Sequence, residues 1–265
     1  MKFTTRILVV LFTLMVAGLL SSNMILKKQY DAMDKSDIYW TYNKVLEKQF
    51  RYLNISGGNE TNIFYEPSAK SSVRLLQEWV KHHNGEVKAS VRNDTLYLDF
   101  DYQPTSPFEK VWLRNSAPVR IFSPELLSVT GNNTHFEMQK VKQNSISVNI
   151  TGKSSFEVET MSKTMDSVSI HQRDSSEIVF EISPEYLTTV VTDKSRIGFR
   201  STTMEQTNKN ESIGIRSVNA DIGGHSLLDI GHAQVQNLQL KIQDSSAIIL
   251  SGGALKKLNN GQLVP

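Results

Sequence analysis

Cysteine is absent from the 265-residue chain. This excludes disulfides, thiolate metal sites and a lipid-modified N-terminal cysteine, leaving burial and hydrogen bonding as the sources of cohesion. An excess of one charge is lacking too. The chain sets 29 Lys and Arg against 27 Asp and Glu, with no basic stripe interleaved with aromatics. No nucleic-acid partner is expected from that balance. The six histidines form no His-Glu-x-x-His spacing, and no glycine loop of the nucleotide-binding kind occurs. No cofactor and no catalytic residue is expected.

Long apolar runs are also missing, with one exception. Ile7 to Leu26 is apolar behind Lys2 and Arg6. At about 1.5 Å per residue it reaches across a bilayer core of about 30 Å. Residues 1–26 are read as a signal anchor, with a cleaved signal peptide as the alternative. No Ala-x-Ala-like site follows Ala17, and apolar character resumes at Met24–Leu26, which favours retention. Membrane attachment through residues 7–26 implies export of the rest of the chain to the periplasmic side of an inner membrane. Secretion or cell-surface display is the alternative. Residues 27–49 carry Tyr30, Tyr39, Trp40 and Tyr42 and read as a juxtamembrane stalk.

What is present from Ile146 onward is a repeated phrase: three apolar residues at alternate positions, a small polar turn, then two more. It reads Ile146, Val148, Ile150, Phe156 and Val158, and returns as Val168, Ile170, Gln172, Ile178 and Phe180. Leu187, Thr189, Val191, Ile197 and Phe199 come next, then Val218, Ala220, Ile222, Leu228 and Ile230. The last copy is Leu238, Leu240, Ile242, Ile248 and Leu250, and successive starts lie 22, 19, 31 and 20 residues apart. Period-two alternation gives each strand one dry face and one wet face. A repeat of this length implies units that bury their apolar faces only by stacking.

The fold expected is therefore all-β: a parallel β-solenoid, or β-helix, with coils of about 20 residues, after the membrane helix and stalk. It is placed over 50–258, with irregular first coils at 50–125, regular repeats at 126–258 and a tail at 259–265. A serine stands eight residues after each start, at Ser154, Ser176, Ser195, Ser226 and Ser246, with Thr134 in an earlier copy. A hydroxyl at every corner suits a hydrogen-bonded ladder better than a nucleophile, which needs a base at one place.

Before the repeats the pattern is less regular. Leu53 and Ile55 alternate ahead of Gly57–Gly58, and Asn93–Asp94 between Val87–Val91 and Leu96–Phe100 is a hairpin signal. Ser71 to His83 reads as a strand and a short helix, and Val111, Leu113, Val119 and Ile121 as continuing strand. Ser123-Pro124-Glu125-Leu126-Leu127 recurs as Ser183-Pro184-Glu185-Tyr186-Leu187, each marking a corner. The polar run Ser201 to Glu211 has no apolar phase and reads as an ejected loop.

Stacking in register would bring Glu137 beside Glu157, and Glu159 beside Glu181, with Arg200 next to Glu181. A separation of about 4.8 Å between strands resembles that of paired carboxylates in retaining glycosidases and also suits a hard cation such as calcium. These four glutamates are the weak metal candidates, and a solvated acidic face is the plainer reading. Aromatic rings, which a carbohydrate platform would expose, fall on inward positions in the repeats.

The stretch from Phe50 to Leu255 resembles the head GIN domain family of autotransporter-adhesin-like bacterial envelope proteins. The resemblance rests on Phe50-Arg51-Tyr52-Leu53-Asn54-Ile55-Ser56-Gly57, on Val119-Arg120-Ile121-Phe122-Ser123-Pro124-Glu125-Leu126 and on the turn-serine phrases. It implies a secreted or envelope-attached all-β domain without catalytic residues. The expected function is a non-enzymatic, membrane-anchored envelope protein with an adhesin-like binding or structural role, toward an envelope protein or glycan. A polysaccharide-acting enzyme using Glu137 and Glu157 is one alternative. An assembly or signalling partner docking through the 201–211 loop is the other.

Overall fold

The computed structural model describes residues 3–32, 36–83, 85–102, 104–160, 165–181, 184–199, 214–231 and 233–250. The chain divides into two units, Met1–Tyr42 and Asn43–Pro265. The first contains helix α1 (Phe3–Ala32), none of whose described residues is buried. By length and composition α1 can cross a membrane, a test that a signal sequence also passes. Two of its hydroxyls bond back into the helix: Thr13 Oγ1 donates to Val9 O at 2.8 Å and Ser21 Oγ to Ala17 O at 2.9 Å. In lipid such back-bonding replaces the missing water. The helix runs past Leu26, so the expected stalk begins as helix; it also contains a strand, β1 (Tyr42–Leu46).

The second unit is mostly strand. Its early elements are β2 (Tyr52–Ser56), β3 (Ile63–Pro67), β4 (Ser72–Leu76), helix α2 (Gln77–His82), β5 (Val87–Arg92), β6 (Thr95–Phe100), helix α3 (Pro107–Ser116) and β7 (Val119–Ser123). Then come β8 (Ser128–Asn132), β9 (His135–Val141), β10 (Ser145–Thr151), β11 (Ser155–Thr160), β12 (Met165–Gln172) and β13 (Glu177–Phe180). The last are β14 (Pro184–Val191), β15 (Arg196–Phe199), β16 (Gly214–Ile222), β17 (Leu227–Gly231), β18 (Gln234–Ile242) and β19 (Ala247–Leu250).

Among the described residues these strands form two large mixed sheets. One has ten strands in the order β1-β4-β7-β3-β9-β11-β13-β15-β17-β19, the other nine in the order β18-β16-β14-β12-β10-β8-β2-β6-β5. This corrects the expected parallel β-solenoid of uniform coils. Each sheet carries an antiparallel pair toward one end, β4 with β7 next to β1, and β5 with β6 at the edge, beside its run of parallel strands. Chain order is also broken, since β3 lies between β7 and β9, and β2 between β6 and β8. For the β5–β6 pair the physical cause is local. Asn93 and Asp94 both take positive φ, 48° and 62°, and turn β5 straight back as β6, as an Asn-Asp hairpin signal allows. A second correction concerns Val111 and Leu113, which lie in α3 rather than on a strand.

The alternation does place the core. Every phased residue from Ile146 to Leu238 is buried, Gln172 and Thr189 included. Gln172 occupies an apolar position because its Nε2 donates to two turn carbonyls, Ser176 O at 2.6 Å and Arg196 O at 3.0 Å. Phe136, Phe156, Phe180 and Phe199 pack on neighbouring strands with ring centroids 5.7, 6.3 and 5.4 Å apart, the outer two pairs stacked and Phe156–Phe180 edge-on. Each fully buried ring contributes about 1.5–3 kcal/mol of transfer free energy. Tyr65 is buried with them; burial pushes its phenol up to about 12, and the hydroxyl donates to Ser123 O at 3.0 Å.

The corner hydroxyls form a ladder of hydrogen bonds. Ser154 Oγ accepts from Thr134 N at 3.1 Å and donates to Thr151 O at 2.6 Å. Ser226 Oγ accepts from Ser195 N at 3.2 Å, and Ser246 Oγ from Ser226 N at 3.0 Å. The adjoining turn residues, among them Asp174, Asp193, Lys194 and His225, take positive φ. That conformation closes the corner and aims backbone groups at the next turn, as in Lys194 N to Gly224 O at 2.7 Å.

Ser226→Ala removes the acceptor of a buried N–H and is expected to cost about 1–3 kcal/mol. Ser147→Ala, on the wet face of β10, is expected to stay within about 0.5 kcal/mol. Urea unfolding of the full-length chain in micelles checks both, and equal effects would contradict a structural ladder.

Candidate binding cleft

The site begins where the repeat is absent. β4 runs directly into α2, whose buried residue is Trp79, only 1% exposed. The helix ends at His83, whose N–H donates to Trp79 O at 3.0 Å. α3 is started by Ser106, whose Oγ accepts from Glu109 N at 3.2 Å, with Pro107 in the first turn. Proline there is preorganised and needs no donor, and a Ser-x-x-Glu spacing completes the start signal. Leu113 anchors α3 in the core and Trp112 packs half-buried against it, while Phe108 is left 82% exposed.

Between the two helices lies a cleft of about 300 Å³, lined by Glu78, Trp79, His82, His83, Phe108, Glu109 and Trp112. A knot of polar groups holds its walls. His83 Nδ1 lies 3.0 Å from Glu86 Oε2, and its Nε2 lies 3.1 Å from Glu109 Oε1. The His83 ring packs 4.5 Å from Tyr102 and 6.0 Å from Trp79, centroid to centroid. Glu109 Oε2 also accepts from Thr105 N at 3.0 Å and from Thr105 Oγ1 at 3.3 Å. The neighbouring Tyr102 hydroxyl, with Thr105 and His83, holds the Glu109 carboxyl below the usual range against opposing burial. Burial, then Glu109 itself, raises the Tyr102 phenol.

Sequence reasoning found the short helix but not the cleft. Trp79 and Trp112 stand far apart in the chain, and only the sheet topology brings their helices together. The Ser106-Pro107-Phe108-Glu109 start signal could have revealed α3; the alternation of Val111 and Leu113 hid it.

The predicted acidic residues lie elsewhere. Glu137 on β9 is in register with Glu157 on β11, and the backbone N–H of Glu181 donates to Val158 O at 3.1 Å, next to Glu159. Burial raises the Glu137 carboxyl, and Glu157, Glu159 and Glu181 raise it further against a hydrogen bond from Gln139 at 2.7 Å. Among the described residues no group of three or more His, Cys, Asp or Glu could hold a metal ion. Arg200 and the 201–211 loop lie outside the described residues.

The two carboxyls predict opposite pH responses. Glu109 has a lowered folded value, so its contribution is present above the unfolded value, about 4.3, and is lost as pH falls through the folded one. Glu109→Gln should therefore lower the Tm at pH 7, with the gap closing in acid. Glu137 has a raised value, so its contribution is present in acid and lost as pH rises. Glu137→Gln should stabilise at pH 7 by about 0.2–1 kcal/mol, the scale of a cross-strand pair, with no gain at pH 4. Thermal unfolding across pH reads both, and gaps of the same sign would refute the assignment.

No family model matches the sequence, and no curated protein does. Solved structures do match. One, named a "putative adhesin", from Bacteroides fragilis, aligns with a TM-score of 0.51 at 12% identity over 79% of this chain and 96% of that one. Another of the same name, from Parabacteroides distasonis, gives a TM-score of 0.46 at 12% identity over 80% and 94%. A "putative lipid binding protein" from Parabacteroides distasonis gives 0.42 at 14% identity over 80% and 94%. The Bacteroides fragilis protein is thus similar to this chain in fold.

Proposed function

We propose that the chain is a non-enzymatic envelope protein, attached to the inner membrane through α1, whose β-domain is exported to the periplasmic side and binds in the manner of an adhesin. The same reading groups it with the head GIN domain family that its sequence resembles. The observation that carries it is the state of the cleft's polar groups. His83 Nε2 meets Glu109 Oε1 between the end of α2 and α3, while His83 Nδ1 faces Glu86 and Glu109 Oε2 accepts from Thr105 within their own segments, so these groups are committed to the walls while the aromatic lining is left for a ligand. Binding sites of this size are mostly apolar, with a few polar groups that set orientation. The adhesin designation belongs to the Bacteroides fragilis structure and enters here as a reading of the shared fold.

Two measurements test the proposal. In spheroplasts, added protease is expected to degrade the β-domain; protection there with cleavage in inverted vesicles would overturn export. Full-length protein in nanodiscs is expected to co-sediment saturably with isolated cell envelopes, releasing no soluble sugar. No sedimentation would overturn binding, and sustained sugar release would overturn the non-enzymatic assignment.

A further inference from the structure

We infer that the C-terminal edge of the two sheets is an interaction surface, and that the chain's own segment 252–265 occupies it. The first observation is a loss of burial at one end of the core. The third apolar position of the repeat is held by Ile150, Gln172, Val191 and Ile222, none more than 3% exposed. In the last copy it is held by Ile242, which is 43% exposed. Leu240, Ile248 and Leu250 are likewise only partly buried, whereas Ala220, Leu228 and Ile230 in the preceding copy are buried. The opposite end shows no such loss: Val73 on β4 and Leu96 and Leu98 on β6 are wholly buried.

The second observation is the edge itself. β18 and β19 each stand last in their sheet, paired on one side with β16 and β17. Gln243 N donates inward to Ile222 O at 2.8 Å, and Ala247 N to Ser226 O at 3.0 Å. Alternation then turns the N–H groups of Ile242 and Ile248 outward. An edge that joins open ladder groups to apolar side chains is a template for a further stretch of chain.

The third observation identifies the occupant. The chain continues directly from β19 through residues 251–265, which lie outside the described residues. A further copy of the repeat would start at Leu258, 20 residues after Leu238, and would put Asn260 and Gln262 at core positions. The alternation therefore stops, yet Leu255, Leu258, Leu263 and Val264 are apolar. A stacked fold needs a capping sequence of this different kind at its terminal unit. Tethering at the edge strand gives the segment an effective concentration of millimolar order, which a second copy does not reach. Lys256 and Lys257 add like charge that discourages edge-to-edge pairing of two copies.

The chain has no cysteine, so single introduced cysteines report burial through maleimide labelling. Full-length protein at one copy per nanodisc carries Ile242→Cys, with Ser147→Cys as the exposed reference and Ile150→Cys as the buried one. Ile242→Cys is expected to label at least about tenfold more slowly than Ser147→Cys, the mark of a site reached only by local opening. Adding Leu255→Asp and Leu258→Asp is expected to raise its rate to that of Ser147→Cys, while Ile150→Cys stays unlabelled. If the two aspartates also open Ile150→Cys, the milder Leu255→Ser and Leu258→Ser pair is read by the same outcomes. Labelling of Ile242→Cys as fast as Ser147→Cys in the otherwise unaltered chain overturns the proposal, and that arm needs no segment variant to fold. Slow labelling that the segment substitutions leave unchanged overturns it too. Protection that arises only at two copies per disc assigns the edge to a second copy, and so overturns it as well.

Discussion

One constraint governs the β-domain: each strand in the repeats has a single dry face, and both sheets must turn that face to one shared core. Parallel pairing in exact register satisfies it, because it sets like residues on like. Phe156 meets Phe136 and Ile178, and Val148 meets Val129 and Ile170. The aromatic stack and the corner serines arise from the same register. A hydroxyl repeated at one phase always finds the next turn's backbone at hydrogen-bonding distance.

Register repeats the wet face as well, and there it has a cost. Glu137 opposite Glu157 is a like-charge pair imposed by pairing, and it adds to the rise that burial gives the Glu137 carboxyl. The opposite arrangement occurs nearby on the same sheet. Glu66 on β3 is nearly buried but lies between Arg120 on β7 and Lys140 on β9, with Lys140 Nζ at 3.3 Å. A buried carboxylate persists when paired on two sides, whereas a repeated one must stay partly wet.

How much of this was legible in the sequence depends on distance along the chain. Alternation at Ile146, Val148 and Ile150 names the buried face, and Asn93–Asp94 names a hairpin, because both are local. Neither says which strand pairs with which. Periodicity cannot distinguish uniform parallel coils from two mixed sheets with antiparallel starts, and the insertion of β3 between β7 and β9 left no local mark. At α3 two local signals conflicted. The Ser106-Pro107-x-Glu109 start outweighed the alternation of Val111 and Leu113, since a cap satisfies orphan donors that an isolated alternating pair cannot.

The cleft is illegible for the same physical reason that makes it suitable as a site. Stacked strands in constant register build extended faces, on which equivalent side chains form rows rather than hollows. Concavity needs a break in that order, and the breaks here are β4 and β5, the antiparallel strands that send the chain into α2 and back through the hairpin. α2 follows β4 and α3 follows the hairpin, and the His83–Glu109 contact joins the end of one to the other. A rigid hollow loses less ordering entropy on binding than a mobile one. The repeats therefore supply the extended core, and the irregular first third supplies the hollow.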